Sequence, residues 1–206
     1  MPAMDMSAII TAFVTLFVVI DPIGLTPLFM ALTHDLTPPE RRAIALRSSA
    51  TAFFILALFA FFGEAVLGFV GISMPAFRIA GGVLLFLTAL DMLFERRTKR
   101  REDQAEEAPD PSIFPLAIPL IAGPGSIATV ILLAGQQDGL QGTALVLGVA
   151  LSVLAVVLLL FLASGHMARA LGRTGINVAT RLLGMLLAAL AVQFILEGLR
   201  DFGFVA

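Results

Sequence analysis

Two interruptions of apolar segments constrain this chain more than any other feature of its sequence. Residues 20–27 (IDPIGLTP) interrupt one apolar run, and residues 121–126 (IAGPGS) interrupt another about a hundred positions later. A helix broken inside a bilayer leaves main-chain N–H and C=O groups without water, and each unsatisfied group costs about several kcal/mol. Such breaks are tolerated where they line a cavity or pack against protein, and a matched pair of them indicates the binding site of a transporter.

The rest of the chain is apolar enough to lie in a membrane. Hydrophobic residues make up 59% and charged residues 14% of the sequence, against about 45–50% and about 25% in soluble domains. Each apolar run is close to the ~20 residues that a helix needs to cross the bilayer core. The sequence therefore predicts an all-α membrane protein with six transmembrane helices, the first and fourth of them broken, at residues 8–32, 44–70, 77–95, 113–134, 143–164 and 181–199.

The composition argues against several classes of function. The chain has no cysteine, which removes disulfides, thiolate metal sites and thiol catalysis. Its net charge of -2 argues against a nucleic-acid partner. The two histidines, His34 and His166, lie at the edges of different spans, and nothing in the sequence pairs them as metal ligands. We therefore expect the lipid bilayer and a small molecule as partners, with no cofactor and no metal.

Lys and Arg are concentrated in the loops on one side of the six spans. The loops after spans 1, 3 and 5 hold eleven of the thirteen, and only Arg78 and Arg200 fall on the other side. The positive-inside rule then places these three loops in the cytoplasm and both termini outside. The longest loop, residues 95–112, passes from a basic block to an acidic one, which indicates a solvated, partly disordered linker.

The two halves of the sequence indicate a duplication. Residues 78–85 (RIAGGVLL) are similar to residues 181–187 (RLLGMLL), and the Gly-Pro break of span 4 lies at nearly the same offset from the Asp-Pro break of span 1. Because each copy holds an odd number of spans, the second copy enters the membrane from the opposite face. We predict two inverted three-helix repeats, at residues 1–95 and 113–206, joined by a charged cytoplasmic linker at residues 96–112.

Several motifs follow one another along essentially the whole chain. They are DPIG followed by Pro27, GISMP leading into RIAGG, PLAIP leading into AGPG, and then GI, RLLG and VQFI, which begin at residues 21, 71, 78, 115, 122, 175, 181 and 192. This arrangement resembles the MarC family of bacterial inner-membrane proteins. The resemblance implies a six-span fold in the inner membrane, a similarity to the LysE-type amino-acid exporters, and the transport of small neutral amino acids that is ascribed to some members.

Among the candidate residues, Asp21 has the side chain best suited to a functional role. It lies roughly 20 Å into span 1 at 1.5 Å per residue, close to the middle of the bilayer. A carboxylate at that depth costs about 2.5–3.5 kcal/mol on insertion scales, so its side chain should face the protein interior. There it can take up a proton and couple transport to a proton gradient. The alternative interpretation is that Asp21 only caps the half-helix that follows the break.

The half-helices after the two breaks are suited to an anionic group. Thr26 before Pro27 is typical of an N-cap followed by the favoured first helical residue, and Ser126 is placed to cap the matching half-helix in span 4. In inverted repeats the two N-termini approach the midplane from opposite sides, and each carries roughly half a positive charge. The predicted substrate-binding residues are Asp21, Pro22, Gly24, Thr26, Gly123, Pro124, Gly125, Ser126 and Gln193.

The glycines and Gln193 in that set each have a second interpretation. Glycine lets bare main-chain N–H groups approach a ligand, but close helix packing or hinge bending needs the same residue. Gln193 lies near mid-membrane, where its amide fits a substrate amine and an interhelical hydrogen bond equally well. Close helix crossing is the favoured interpretation for three further glycines, Gly81, Gly82 and Gly184.

Arg78 and Arg181 begin equivalent helices from opposite faces of the membrane. Snorkelling of the side chain to the headgroups explains each of them alone. The alternative is a gating or ion-pair role with an acidic residue, for which the candidates are Asp21, Glu64, Asp91 and Glu197.

Taken together, these features favour a secondary carrier that works by alternating access and moves a small zwitterion between the two broken helices. The sequence lacks the Gly-x-x-x-x-Gly-Lys-Ser/Thr loop of many ATPases, so a proton or sodium gradient is the expected drive. An ion or small-solute exporter with Asp21 as a ligand is the alternative. An enzyme would need a base and a nucleophile paired at depth, and a scaffold would leave the paired breaks unexplained.

The charge asymmetry generates a first prediction. A reporter fused after Arg101 should be active on the cytoplasmic side, and a reporter fused at Ala206 on the periplasmic side, because the basic loops resist translocation. Paired alkaline phosphatase and green fluorescent protein fusions measure both positions in intact cells. A cytoplasmic reading at Ala206 would contradict an even number of spans with both termini outside.

Overall fold

The structure is a computed structural model that describes residues 6–94, 110–136 and 139–204. Within these residues all regular secondary structure is helical. The helices are α1 (Met6–Ile20), α2 (Pro22–Leu32), α3 (Pro38–Val70), α4 (Met74–Leu93), α5 (Ser112–Ile121), α6 (Pro124–Gly135), α7 (Gly139–Leu162) and α8 (Ser164–Asp201). Helix α5 is wide and irregular, because Phe114 and Ile118 adopt extended dihedral angles inside it.

Length and apolar character identify the membrane spans among the described residues. Five segments are long and apolar enough to cross a membrane alone, namely Met6–Leu32, Pro38–Val70, Met74–Leu93, Gly139–Leu162 and Thr174–Asp201. Helices α5 and α6 are bent by 55° and together form a sixth candidate span. The predicted all-helical class is confirmed, and so is the number of spans when the bent pair is counted as one.

Two spans begin six and seven residues earlier than the sequence predicted, more than any other span. The second begins at Pro38 rather than at residue 44, because the main-chain N–H of Thr37 donates to Oε2 of Glu40 at 2.8 Å and caps the polar first turn. The last begins at Thr174 rather than at residue 181, directly after a bend at Gly172, where φ is 59°. Apolar runs mark the part of a helix that lies in lipid, and these helices continue into polar ends.

Most of the predicted linker, residues 96–109, lies outside the described residues. At its end, the Asp110 carboxylate accepts hydrogen bonds from the N–H and the hydroxyl of Ser112 at 2.9 and 2.7 Å. The hydrogen bond from the Ser112 hydroxyl, and to a smaller extent the bond from the Ser112 N–H, keep the pKa of Asp110 below its usual value. Arg47 of α3 lies 3.4 Å from the same carboxylate, so the start of α5 is tied to α3.

Helices α4 and α8 pack antiparallel at backbone distance. A Cβ atom on Gly82 would lie 2.8 Å from the carbonyl oxygen of Ala191, and one on Gly184 would lie 3.3 Å from that of Ala89. The predicted close crossing is therefore confirmed for Gly82 and Gly184. Gly81 instead faces α6, where its Cβ would meet the side chain of Leu132 at 3.1 Å.

Two features of the first half recur at the same spacing in the second half. Gly82 contacts Ala191, and Gly184 contacts Ala89. Gly184 lies 102 positions after Gly82, and Ala191 lies 102 positions after Ala89. Pro22 and Pro124, which begin the half-helices after the two breaks, are also 102 positions apart. At this spacing Gly82, not Gly81, aligns with Gly184, one position away from the alignment that the sequence motifs suggested.

The glycine contact generates a second prediction. Gly82→Ala should lower the thermal midpoint of the purified protein relative to Gly148→Ala, because the added methyl meets a main-chain oxygen, an overpacking worth about 1–3 kcal/mol. Both positions are helical, and Gly148 has open space around it. The helix-propensity gain of about 1 kcal/mol is therefore the same in the two variants. Circular dichroism in detergent measures the difference, and equal midpoints would show that the two helices are not in tight contact.

Candidate functional site

The break in the first span is formed by Asp21, between α1 and α2. Its φ and ψ are 57° and 63°, in the left-handed region that Asp tolerates better than most residues, and its exposed fraction is 0%. The main-chain hydrogen bonds continue on both sides, because its N–H donates to Phe17 at 2.9 Å and its carbonyl accepts from Leu25 at 3.0 Å. The prediction that Asp21 faces the protein interior is confirmed.

The Asp21 carboxylate occupies the N-terminus of α2. Its Oδ1 accepts a hydrogen bond from the N–H of Gly24 at 3.0 Å, which makes Asp21 the N-cap of the helix. A Cβ atom on Gly24 would lie 2.1 Å from Oδ2, so glycine at this position leaves the room that the carboxylate fills. The same carboxylate therefore blocks the approach of a second anion to this N-terminus.

The predicted cap at Thr26 is wrong. Helix α2 begins at Pro22, so Thr26 lies inside its first turns, and its hydroxyl donates to the carbonyl of Pro22 at 2.9 Å. Asp is at least as good an N-cap as Thr, and Pro22 follows Asp21 directly at the favoured first helical position. Pro27 is left within the helix.

The break in the fourth span is capped by Gly123 and Ser126. The Ser126 hydroxyl accepts from the N–H of Gly123 at 3.0 Å and donates to the carbonyl of Ile121 at 2.6 Å. Ser126 thus stabilises the helix start from its third residue, while Gly123 is the N-cap. A Cβ atom on Gly123 would lie 2.2 Å from the carbonyl oxygen of Pro119, so the chain folds back on itself here.

The two breaks lie next to each other in the bundle. A Cβ atom on Gly125, at the start of α6, would lie 3.2 Å from Val19 of α1 and 3.3 Å from Leu85 of α4. Pro124 at the same break is exposed. The structure therefore brings together eight of the nine predicted substrate-binding residues, in the short segments Asp21 to Thr26 and Gly123 to Ser126, but it fills the space beside each of the three glycines with protein atoms.

Gln193 lies apart from these breaks. Its side chain is exposed on α8, and its Nε2 donates to Oε1 of Glu197 one turn further along the helix at 2.9 Å. The buried face of α8 consists of other residues, among them Leu187 and Ala191, both 0% exposed. The structure does not bring Gln193 to the candidate site.

Arg78 forms an ion pair with a residue outside the set of predicted partners. The guanidinium of Arg78 contacts the carboxylate of Asp201, the last residue of α8. The Arg78 side chain is 11% exposed. None of the four predicted acidic partners is the one observed. Arg181 lies on the exposed face of α8, away from this ion pair.

A cluster of four residues that the sequence did not predict joins helices at the end of the bundle opposite to Arg78. We name Phe29, Arg41, Phe161 and Ser164 the Arg41 cluster. The Phe29 and Phe161 rings stack at 4.3 Å with an interplanar angle of 7°, and both are buried. The Arg41 guanidinium lies 6.0 Å from the Phe29 ring centroid and donates to the hydroxyl of Ser164 at 3.1 Å. The cluster joins α2, α3, α7 and α8 on the side predicted to be cytoplasmic.

Among the described residues, no group of three or more His, Asp or Glu is placed to hold a metal ion. The arrangement offers instead two helix N-termini near the middle of the bundle, one buried carboxylate at the first of them, and charged contacts that join helices at both ends.

Comparison with known proteins extends over almost the whole chain. Residues 6–202 match the model of a family described as MarC family integral membrane proteins. A UPF0056 membrane protein of Aquifex aeolicus is 39% identical over 93% of this chain and 92% of its own length. YvbG of Bacillus subtilis, a UPF0056 membrane protein, is 39% identical over 96% of both chains. The UPF0056 inner membrane protein YhgN of Escherichia coli K12 is 36% identical over 95% of this chain and 98% of its own. No solved structure matches the chain.

The Arg41 cluster generates a third prediction. In a Thr26→Cys variant, a membrane-impermeant thiol reagent added from the cytoplasmic side should label slowly, because Phe29 lies between Thr26 and that end of the helix. The chain has no native cysteine, so this single thiol is the only target. Adding Arg41→Ala removes a charged hydrogen bond of about 1.5–3 kcal/mol and should speed labelling about 10- to 100-fold.

Arg42→Ala is the matched control for this experiment, because Arg42 is the exposed neighbour of Arg41 on the same helix. Its labelling rate should equal that of Thr26→Cys alone. Equal rates in the Arg41 and Arg42 variants would show that the cluster does not control access to the break.

Proposed function

We propose that this chain, which belongs to the MarC family of integral membrane proteins, is a secondary transporter of small neutral amino acids that works by alternating access. The observation that carries the proposal is the contact between two broken spans in the middle of the bundle, with one buried carboxylate at the break. Broken helices whose N-termini meet near the midplane are the arrangement used by many carriers for substrates with a carboxylate.

The constant spacing of 102 positions supports two inverted repeats. Helices α4 and α8 occupy equivalent places in the two repeats and run antiparallel, as an inverted duplication requires. In such a protein the two repeats rock about the axis that relates them, and the site between the broken spans is exposed to each side in turn.

Substrate recognition rests on the helix starts at Pro22 and Pro124. Each helix start carries roughly half a positive charge, which attracts the substrate carboxylate. At α2 the Asp21 carboxylate already accepts the hydrogen bond from Gly24, so substrate and Asp21 compete for the same donor. Protonation of Asp21 weakens its hold on that N–H and lets the substrate carboxylate take its place. Substrate and proton then bind together, which couples their movement.

Alternating access also needs contacts at each end that break in turn. The Arg41 cluster is the candidate closure on the side predicted to be cytoplasmic, and the ion pair between Arg78 and Asp201 is the candidate closure on the other side. Under this proposal Arg78 has a gating role, which is one of the two roles that the sequence allows for it; the other is snorkelling to the headgroups. Gln193 lies outside this site, and the gating or ion-pair role of Arg181 stays a prediction.

The proposed location is the inner membrane with both termini in the periplasm. The relative YhgN is named an inner membrane protein, and the concentration of Lys and Arg in three loops supports this orientation. The proposal assigns no catalytic residue, no cofactor and no metal. The expected similarity to the LysE-type exporters stays a prediction that favours amino acids as substrates.

An ion or small-solute exporter is the second candidate function. The observation that favours it is the complete burial of Asp21 at mid-membrane, since a buried carboxylate is also the ligand that a transported cation requires. The two functions differ in whether an amino acid stimulates ion movement.

Reconstituted vesicles test the proposed function directly. Purified protein in liposomes should accumulate labelled alanine, serine or glycine under an imposed proton or sodium gradient, and protein-free liposomes should not. Ion movement without any amino-acid uptake would favour the exporter. Absence of both would contradict the proposal.

Asp21→Asn is the fourth prediction, because it separates coupling from capping. Asn can still accept the hydrogen bond from Gly24 but cannot change its charge, so the variant should fold and exchange bound substrate across the membrane. Gradient-driven accumulation should disappear together with the pH dependence of exchange. The measurement compares both activities in the same vesicles, and full accumulation by the variant would reduce Asp21 to a helix cap.

A further inference from the structure

The side chain of Gln193 points away from the bundle within the membrane-spanning part of α8. Ala191 lies on the buried face of α8, and Gln193 follows it by two positions, which rotates its side chain by about 200° around the helix. The exposed state of Gln193 agrees with this direction. Intramembrane polar side chains almost always face a bundle interior or a water-filled cavity, so this orientation needs a partner.

The depth of Gln193 follows from the packing of α4 on α8. Leu85 of α4 lies 3.3 Å from the Cβ position of Gly125 at the break, and the glycine contacts place Leu85 level with residue 188 of α8. Gln193 is five residues further, or about 8 Å along the helix. This distance is well inside the hydrocarbon half-thickness of about 15 Å.

The amide of Gln193 retains unused hydrogen-bonding capacity. A Gln side chain has two N–H donors and a carbonyl acceptor, and Glu197 accepts one donor at 2.9 Å. The second donor and the carbonyl have no partner within the described residues of the chain. Against lipid tails each would stay unsatisfied at about several kcal/mol.

We propose that this surface binds the same surface of a second copy, which makes the protein a parallel homodimer. We name the surface the Gln193 face, formed by Leu182, Leu186, Ala189, Gln193 and Leu196, all exposed. A twofold axis along the membrane normal places the same residue of both copies at the same depth. The amide has one donor and one acceptor left, so two copies of Gln193 satisfy each other.

The neighbours of Gln193 suit this contact. Ala189 lies one turn away and lets the two helices approach, and three leucines provide the apolar packing around the amides. Glu197 lies about 6 Å closer to the membrane surface, where its carboxylate can reach water while it orients the Gln193 amide. The dimer does not depend on the proposed function, since the Gln193 face is remote from the broken spans.

Cysteine cross-linking in native membranes tests the dimer. Ala189→Cys in the otherwise cysteine-free full chain should form a disulfide-linked dimer on mild oxidation. Leu151→Cys is the matched control, because it lies mid-helix on the exposed side of α7 at 54% exposure, close to the 53% of Leu186. Dimer yield from Ala189→Cys should exceed that from Leu151→Cys at equal expression.

A second variant tests the role of the amide. Gln193→Leu in the Ala189→Cys background should weaken dimerisation about 3- to 30-fold, the range measured for interhelical hydrogen bonds in membranes. Gln193→Asn, which keeps an amide, should retain more dimer than Gln193→Leu. The proposal is overturned if Ala189→Cys gives no more dimer than Leu151→Cys, if it links mainly to a protein of another mass, or if Gln193→Leu dimerises as the parent does.

Discussion

The structure depends on how two broken spans satisfy their main-chain polar groups far from water. In the first span the Asp21 carboxylate accepts the N–H of Gly24, and in the fourth span the Ser126 hydroxyl accepts the N–H of Gly123. Both caps come from the chain itself, within three residues of the donor. The breaks are therefore stable without a ligand, and any ligand that binds to a helix start must compete with a protein side chain.

The two caps differ in chemistry, and this difference determines which break is coupled to protons in the proposed mechanism. Asp21 carries a charge that depends on protonation, whereas Ser126 is neutral at any physiological pH. On the proposed mechanism only the first break responds to a proton gradient, although both half-helices begin at a proline that follows a break. The proposed mechanism therefore assigns coupling to the first half of the chain and leaves the second half to bind substrate without a change of charge.

The sequence predicts the spans and the breaks because hydropathy and proline positions determine them locally. It predicts side-chain partners less well. Thr26 and Asp21 are both good caps in sequence, and the choice between them depends on which proline begins the helix. The partner of Arg78, Asp201, lies one turn beyond the acidic residue that sequence placed nearest to that end. Gln193 was assigned to the site from its depth alone, while its direction depends on the face by which α8 packs on α4.

The glycine contacts hold α4 and α8 together at backbone distance, whereas the contacts at the two ends of the bundle are made by side chains. At Gly82 the main chains are so close that a methyl group has no room, and Gly184 forms a second, slightly wider contact between the same helices. The Arg41 cluster and the ion pair of Arg78 use long side chains at the ends of the bundle, whose contacts can break without loss of backbone packing. On the proposed mechanism the crossing of α4 and α8 therefore acts as the pivot. The ion pair of Arg78 joins these same two helices, so on this mechanism it opens by movement of its side chains, whereas the Arg41 cluster opens by rotation of the helices that carry it.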